Sequence, residues 1–230
     1  MIQFDGQDVG DFQEPKRFDR QQTVASKLQR SSPTRKLIHL AMALVPAVGW
    51  WISFGLALAL ACAMLVASFV VEVVRRWWPG VNRLLWRLLP TTFRAREQRR
   101  TLGSTWFAVG AVAALLLFGR DVGGTAILFL CWGDPAAELV GRQWGRPGRR
   151  KTLVGSVGCL SVCLLAGLVG VSLGGLSIGA VMAGAIVATM VEHWSPPPDD
   201  NVWMPILSGF AVAAIQWLMG GQLVLFPVWR

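Results

Sequence analysis

The sequence predicts an all-α fold: a polytopic integral membrane helix bundle of about seven transmembrane helices, with an amphipathic cytoplasmic surface helix. Apolar residues fill 53% of the 230 positions and charged residues only 15%, too little polar surface to cover a soluble core. The apolar residues run in long uninterrupted stretches, as lipid-facing helices require, rather than marking one face of each helix. Several Trp (Trp50, Trp51, Trp77, Trp78, Trp203) stand at the edges of those stretches, where an amphipathic ring suits the lipid–water boundary.

Residues 1–34 are polar and charged, and read as a cytoplasmic tail, partly disordered, ahead of a membrane domain over 35–230. With no apolar core near the start, no cleavable signal peptide is expected. The apolar run from Leu37 to Val74 is too long for one span, which needs about 20 residues. Pro46, Gly49 and Ser53 offer a turn, giving spans over 37–52 and 54–74. Residues 75–100 carry eight Arg interleaved with apolar side chains at roughly helical spacing, the pattern of a helix lying on the membrane, with Pro90 expected to end it. Further spans are expected at 103–119, 122–140, 153–172, 176–193 and 202–220. Small residues crowd the fifth and sixth spans, which lets helix backbones approach closely.

Charge decides the topology. The tail and span entry hold seven Lys/Arg, residues 75–100 eight and 141–152 five, so 20 of the 22 fall on one face if there are seven spans. The positive-inside rule makes that face cytoplasmic. This accounts for the net charge of +9 and pI near 10.7 through the membrane and anionic head groups, and no nucleic-acid partner is expected. The four cysteines (Cys62, Cys131, Cys159, Cys163) lie within apolar segments without metal-ligand spacing and read as small apolar side chains.

Chemistry concentrates in the stretch from Gly133 to Arg146. Asp134 and Glu138 are four apart and share a helix face with Gly141. Asp134 stands about 10 Å inside its span, a costly depth for an acid unless it faces a partner or polar cavity. The Gly and Arg/Lys residues that follow suit a polyphosphate; a plainer reading is a positive-inside loop with an Asp–Arg pair. Glu192, His193 and the loop Pro196–Asn201 meet the same face and add oxygen donors of the kind a magnesium–nucleotide site needs. On the plainer reading, Asp199, Asp200 and Asn201 only cap the last helix, and Asp200 or Asn201 is expected to do some capping either way. Arg35 and Lys36 can be snorkelling anchors, and His39 reads first as a helix–helix hydrogen bonder. Glu72 and Glu97 are expected to make structural ion pairs with Arg75, Arg76, Arg94 or Arg100.

Together these stretches resemble the CTP-dependent lipid kinases, the family of dolichol kinase, phytol kinase and fungal CTP-dependent diacylglycerol kinase. The resemblance covers about 35–210 and rests on Arg35-Lys36-x-x-His39, on Gly133-Asp134-x-x-Ala137-x-x-x-Gly141-Arg142-x-x-Gly145, on Lys151-Thr152-x-x-Gly155-Ser156, and on Glu192 followed by Asp200-Asn201-x-x-x-Pro205. It implies a membrane catalytic domain that transfers the terminal phosphoryl group of CTP, with Mg2+, to a lipid alcohol drawn from the bilayer. It implies catalytic roles for Asp134, Glu138 and Asp200, and a metal shell of Asp134, Glu192 and Asp200, with Asp134 holding the metal or orienting the lipid hydroxyl. Arg35, Lys36, Arg142 and Lys151 would grip the triphosphate, Gly141, Gly145 and Gly155 would leave room for it, and Thr152, Ser156 and Asn201 would complete the nucleotide site. Val154 stands where the family often has Glu, which leaves the site one acid short unless Glu138 substitutes. The other readings are a cytidylyltransferase making a CDP-lipid, and a non-catalytic membrane scaffold or transporter. The expected location is a bacterial plasma membrane, with the N-terminus and active site cytoplasmic.

Overall fold

A computed structural model describes residues 33–88, 97, 100–145 and 151–220. Residues 1–32 of the expected tail, Pro90 and the basic residues Arg94, Arg146, Arg149 and Arg150 lie outside the described residues. The described chain is helical: α1 Pro33–Ala41, α2 Leu44–Trp51, α3 Phe54–Trp77, α4 Pro79–Leu88, α5 Gly103–Leu128, a π-helical turn Phe129–Gly133, α6 Asp134–Trp144, α7 Leu153–Gly174, α8 Ile178–Trp194 and α9 Asp200–Leu218. Four runs are long and apolar enough to cross a membrane (Phe54–Trp77, Gly103–Trp144, Leu153–Gly174, Asp200–Leu218), and Lys36–Trp51 and Ile178–Trp194 are shorter apolar helices.

Local chemistry explains where the helices break. The first span is two helices rather than one, parted at Met42-Ala43. Pro46 has no N–H for the Met42 carbonyl four residues back, and that carbonyl accepts from Val45 instead at 3.1 Å. The turn between the first two expected spans falls at Ile52-Ser53, where the division into 37–52 and 54–74 puts it, and the Ser53 hydroxyl caps α3 by accepting from the Leu56 amide at 3.1 Å. The surface helix α4 begins with Pro79 as its first residue and ends at Leu88, just short of Pro90. Leu84 and Leu88 stay exposed on it beside exposed Trp77 and Trp78, an apolar face for the membrane interface.

The 42-residue run Gly103–Trp144 folds back on itself. Gly119 (φ 71°, ψ −161°) takes a conformation that suits glycine alone, and Gly123 then packs on the Ala114 carbonyl. A straight helix would hold those residues about 13 Å apart. Thus α5 is a tight helical hairpin, as the expected Arg120-Asp121 turn requires. Asp121 is fixed there by Arg120 Nε at 2.9 Å and by Trp50 Nε1 at 3.1 Å, and it packs against Gly174. The ends of α2 and α7 therefore meet the hairpin at one end of the bundle.

The opposite end gathers the start of α1, the end of α3, the starts of α5, α7 and α9, and the ends of α6 and α8, through contacts such as Asn201 Nδ2 donating to the Gly103 carbonyl at 3.2 Å. Here buried Arg75 donates to Glu72 at 2.6 and 2.9 Å and to the carbonyls of Glu97 and Arg100, while Glu72 accepts from the Leu102 amide at 3.3 Å. Arg76 also reaches Glu72, at 2.7 Å. The expected structural pairing of Glu72 with Arg75 and Arg76 is present, and it pins the return of the chain from the surface segment to α5. Arg75, Lys36 and Lys151 share this end and Arg120 stands at the other, the segregation that seven spans require. Single cysteines at exposed Gln143 and Pro198 are accordingly expected to react with an impermeant maleimide from one side of the membrane, and a cysteine at Ile52 from the other. Labelling of Gln143 and Pro198 from opposite sides would overturn this topology.

Candidate active site

The site assembles at the end that carries Lys36 and Lys151. On α6, Pro135 deprives the Cys131 carbonyl of its usual N–H partner, and the chain widens into the π-helical turn just before it. The turn presses Gly133 against Cys159, Cys163 and Met204 and leaves Asp134 buried at the head of α6. The expected continuous span over 122–140 is therefore broken at the residue that bears its acid. Cys159 and Cys163 are free thiols packed in the core, as expected of small apolar side chains.

Two polar groupings surround Asp134. Helix α1 packs against the π-helical turn and reaches α6 through two side-chain pairs in antiparallel order. Lys36 Nζ lies 3.6 Å from Glu138 Oε1, and His39 Nδ1 lies 3.7 Å from Asp134 Oδ2. The His39 ring is buried and meets Phe107 of α5 edge-on, with centroids 5.5 Å apart. The second grouping centres on Lys151, just ahead of α7. Its ammonium bonds Glu192 Oε1 of α8 at 2.5 Å and Asp200 Oδ2 of α9 at 3.3 Å. Burial pulls the Lys151 pKa down, but the charges of Asp134, Asp200 and Glu192 outweigh it and leave the ammonium above the ordinary lysine range. That balance ties Asp134 electrostatically to the other two acids across three helices.

Supporting contacts fix the acids. Ser195 Oγ donates to Asp200 Oδ2 at 2.6 Å, and Ser156 Oγ lies 2.8 Å from His193 Nδ1. Thr152 caps α7 by accepting from the Gly155 amide at 3.1 Å. Asn201 is fully buried. The cap of α9 is Asp199, which accepts from the Asn201 amide at 3.3 Å, so capping falls to neither Asp200 nor Asn201.

The structure thus brings together Asp134, Glu138, Lys36, Lys151, Glu192 and Asp200, with Thr152, Ser156 and Asn201 close by in the chain. Arg35 lies on α1, and Arg142 is exposed on the last turn of α6. The glycines depart from expectation. A Cβ on Gly141 would meet Thr152 Oγ1 at 2.8 Å, one on Gly145 would meet the Gly141 carbonyl at 2.1 Å, and one on Gly155 would meet the Ala137 carbonyl at 2.7 Å. Each of these side-chain directions is occupied by protein, so the glycines serve the close crossing of α6 and α7. The three-acid metal shell is not preformed either: among the described residues no three His, Cys, Asp or Glu side chains are grouped to hold a metal. Lys151 stands between two of those acids. Val154 is 41% exposed on the first turn of α7, so an acid there would face the periphery.

Sequence reasoning missed the Ser156–His193 and Ser195–Asp200 contacts and the pairing of His39 with Asp134. Residues 37 or 95 positions apart carry no spacing signal, and only the position of His39 one turn inside α1 hinted at a partner.

Comparison with known proteins finds relatives that are named as lipid kinases. The chain is 29% identical to CTP-dependent diacylglycerol kinase 1 of Saccharomyces cerevisiae over 42% of its own length and 35% of the yeast protein. It is 30% identical to the protein of that name in Schizosaccharomyces pombe, over 43% of this chain and 46% of that one. The chain is related to CTP-dependent lipid kinases. Phytol kinase of Synechocystis is 26% identical over 52% of this chain and 48% of its own. The matches thus span between about a third and a half of these relatives' lengths. No protein-family profile and no solved structure matches the chain.

Proposed function

We propose that this protein is a membrane-embedded lipid-alcohol kinase that transfers the terminal phosphoryl group of CTP to a lipid hydroxyl. The observation that carries the reading is the meeting of Glu192, Asp200 and Lys151, with Asp134 in electrostatic reach, at the basic end of a membrane bundle. By the positive-inside rule that end faces the cytoplasm, where the nucleotide is, and a bacterial plasma membrane suits the chain.

Phosphoryl transfer asks the protein chiefly for positioning and charge neutralisation. Lys151 can turn from the acids to the phosphates, joined by Lys36 and by exposed Arg142, with Arg35 as a further cation. Asp200 and Glu192 are hard oxygen donors already accepting a cation. Mg2+ arriving with a nucleotide commonly needs only one or two carboxylates besides phosphate oxygens and water, so these residues fit it without a preformed three-acid cage. Bound there, it would neutralise phosphate charge. Asp134 we assign to the acceptor. The lipid oxygen bonds to the γ-phosphorus, and the bond from that phosphorus to the β–γ bridging oxygen breaks, its electron pair leaving with CDP. The hydroxyl proton passes to the Asp134 carboxylate. Glu138, paired with Lys36, sets the approach of α1.

The test is an assay of purified protein with γ-labelled CTP or ATP against diacylglycerol, phytol and a polyprenol. Label is expected in the lipid, with CDP released in the CTP reaction. Release of pyrophosphate and formation of a CDP-lipid would identify a cytidylyltransferase instead, and absence of both products would leave the scaffold or transporter reading standing.

A further inference from the structure

We infer that His39, together with Asp134, forms the binding site for the acceptor hydroxyl, and that the lipid reaches it along the seam between α1 and α6. This rests on the kinase reading above and assigns its acceptor side to named atoms. The nucleotide-facing grouping, around Lys151, draws on α8, α9 and the loop before α7. The His39–Asp134 pair lies on the other flank of the same acid, on helices α1 and α6.

Distance carries the argument. His39 Nδ1 and Asp134 Oδ2 stand 3.7 Å apart, too far to hydrogen-bond each other. One hydroxyl oxygen seated beside the pair, about 2 Å off the line that joins the two atoms, lies about 2.8 Å from both, an ordinary hydrogen-bond length. The hydroxyl then donates to the carboxylate and meets the imidazole with its lone pairs. Phe107 closes the far side of the His39 ring and holds its direction.

Access follows from how α1 is built. Leu37, Ile38 and Leu40 on the same helix are exposed, so α1 is a wall one helix thick between Asp134 and the surrounding lipid. The helix stops at Ala41, where the chain breaks before α2. Its two ionic contacts with α6, at 3.6 and 3.7 Å, are both longer than hydrogen bonds, so a hydroxyl can enter between the helices without breaking either as a hydrogen bond. The hydrocarbon tail stays in the bilayer against the apolar side of α1. Such a site reads an alcohol and little of its tail, which suits a primary or allylic lipid alcohol.

Steady-state kinetics of the purified full chain, with CTP as donor and dioctanoylglycerol or phytol as acceptor, test the assignment. For His39→Phe the KM for the alcohol is expected to rise about tenfold, the loss of one hydrogen bond, while the KM for CTP moves less than about twofold. His39→Asn places an amide near Nδ1 and is expected to restore most of the alcohol KM; His39→Gln, whose amide stands near Nε2, restores less. If His39→Phe fails to purify as a single species, Phe107→Leu, which frees the ring, is expected to give the same split at about threefold. An unchanged alcohol KM, a CTP KM rising in step with it, or equal values for the Phe and Asn variants would overturn the acceptor site and leave the kinase reading intact. A parent protein that phosphorylates no alcohol with CTP or ATP would remove both.

Discussion

Replacing Lys151 with Met is expected to cost the protein both its fold stability and its transferase activity. The Lys151 side chain is only 23% exposed, while Glu192 and Asp200, its direct partners, are 5% and 4% exposed. Removing the cation of a buried ionic cluster leaves its acids charged with no ammonium between them, which costs about 3 kcal/mol or more. Two separate readouts follow. Heating in detergent is expected to unfold the variant at a clearly lower temperature, measured as a rate of unfolding because membrane proteins rarely refold after heating. Transfer is expected to fall about a thousandfold, since a cation aimed at phosphate oxygens acts where charge moves. Adding Glu192→Gln removes one of the stranded charges and is expected to recover part of the stability and none of the activity. Recovery of both, or no loss from Lys151→Met, would mean that the ammonium holds the helices together and nothing more. The pH dependence has a definite sign. The folded pKa of Lys151 is raised, so its stabilisation is complete below the ordinary value of 10.5 and is lost as the pH climbs through the raised one. Alkaline inactivation of the parent above that value should therefore be absent from Lys151→Met.

The fold was legible wherever it depended on solvent preference. Apolar runs placed the helices to within a few residues, and the distribution of Arg and Lys put α3, α6 and α8 end to end with the starts of α1, α5, α7 and α9. Breaks were harder to place, because they depend on which carbonyl loses its donor. Pro46 splits the first span four residues before itself, and Pro135 opens a π-helical turn, effects that hydropathy does not register. The acids of the site could be read because charge inside a span is costly enough to stand out. Their partners could not. Lys151, Glu192 and Asp200 meet across 41 and 49 residues, and sequence order says nothing of which helices adjoin. The glycines were ambiguous for a related reason: Gly141, Gly145 and Gly155 mark close approach of something, and from sequence alone a phosphate and a neighbouring helix ask for the same residue. The crossing of α6 and α7 supplies the helix.

Asp134→Asn is expected to remove lipid phosphorylation almost completely while leaving the bundle assembled. Asn keeps the shape of Asp and its first oxygen, so the packing of α6 against Cys159, Cys163 and Met204 through Gly133 is untouched. The change removes the negative charge that the acceptor hydroxyl needs as its proton leaves, and also one of the charges that hold Lys151 protonated. A loss of about 10³-fold in kcat is expected, in the range for a general base working with other catalytic groups still in place. Binding of labelled CTP, measured on the same preparation, is expected to change little, because the direct partners of the Lys151 ammonium are Glu192 and Asp200. Glu138→Gln gives the contrast. Glu138 is 33% exposed and pairs with Lys36 at 3.6 Å, a geometry worth less than about 1 kcal/mol. Its loss should slow transfer only severalfold, through looser seating of α1. An Asp134→Asn protein that labels lipid as fast as the parent would place the reacting hydroxyl elsewhere, and equal losses from Asp134→Asn and Glu138→Gln would mean that the two carboxylates work as one structural face of α6. The expected inequality follows from burial: Asp134 is buried at the head of α6, where a charge acts undiluted by water, and Glu138 is a third exposed.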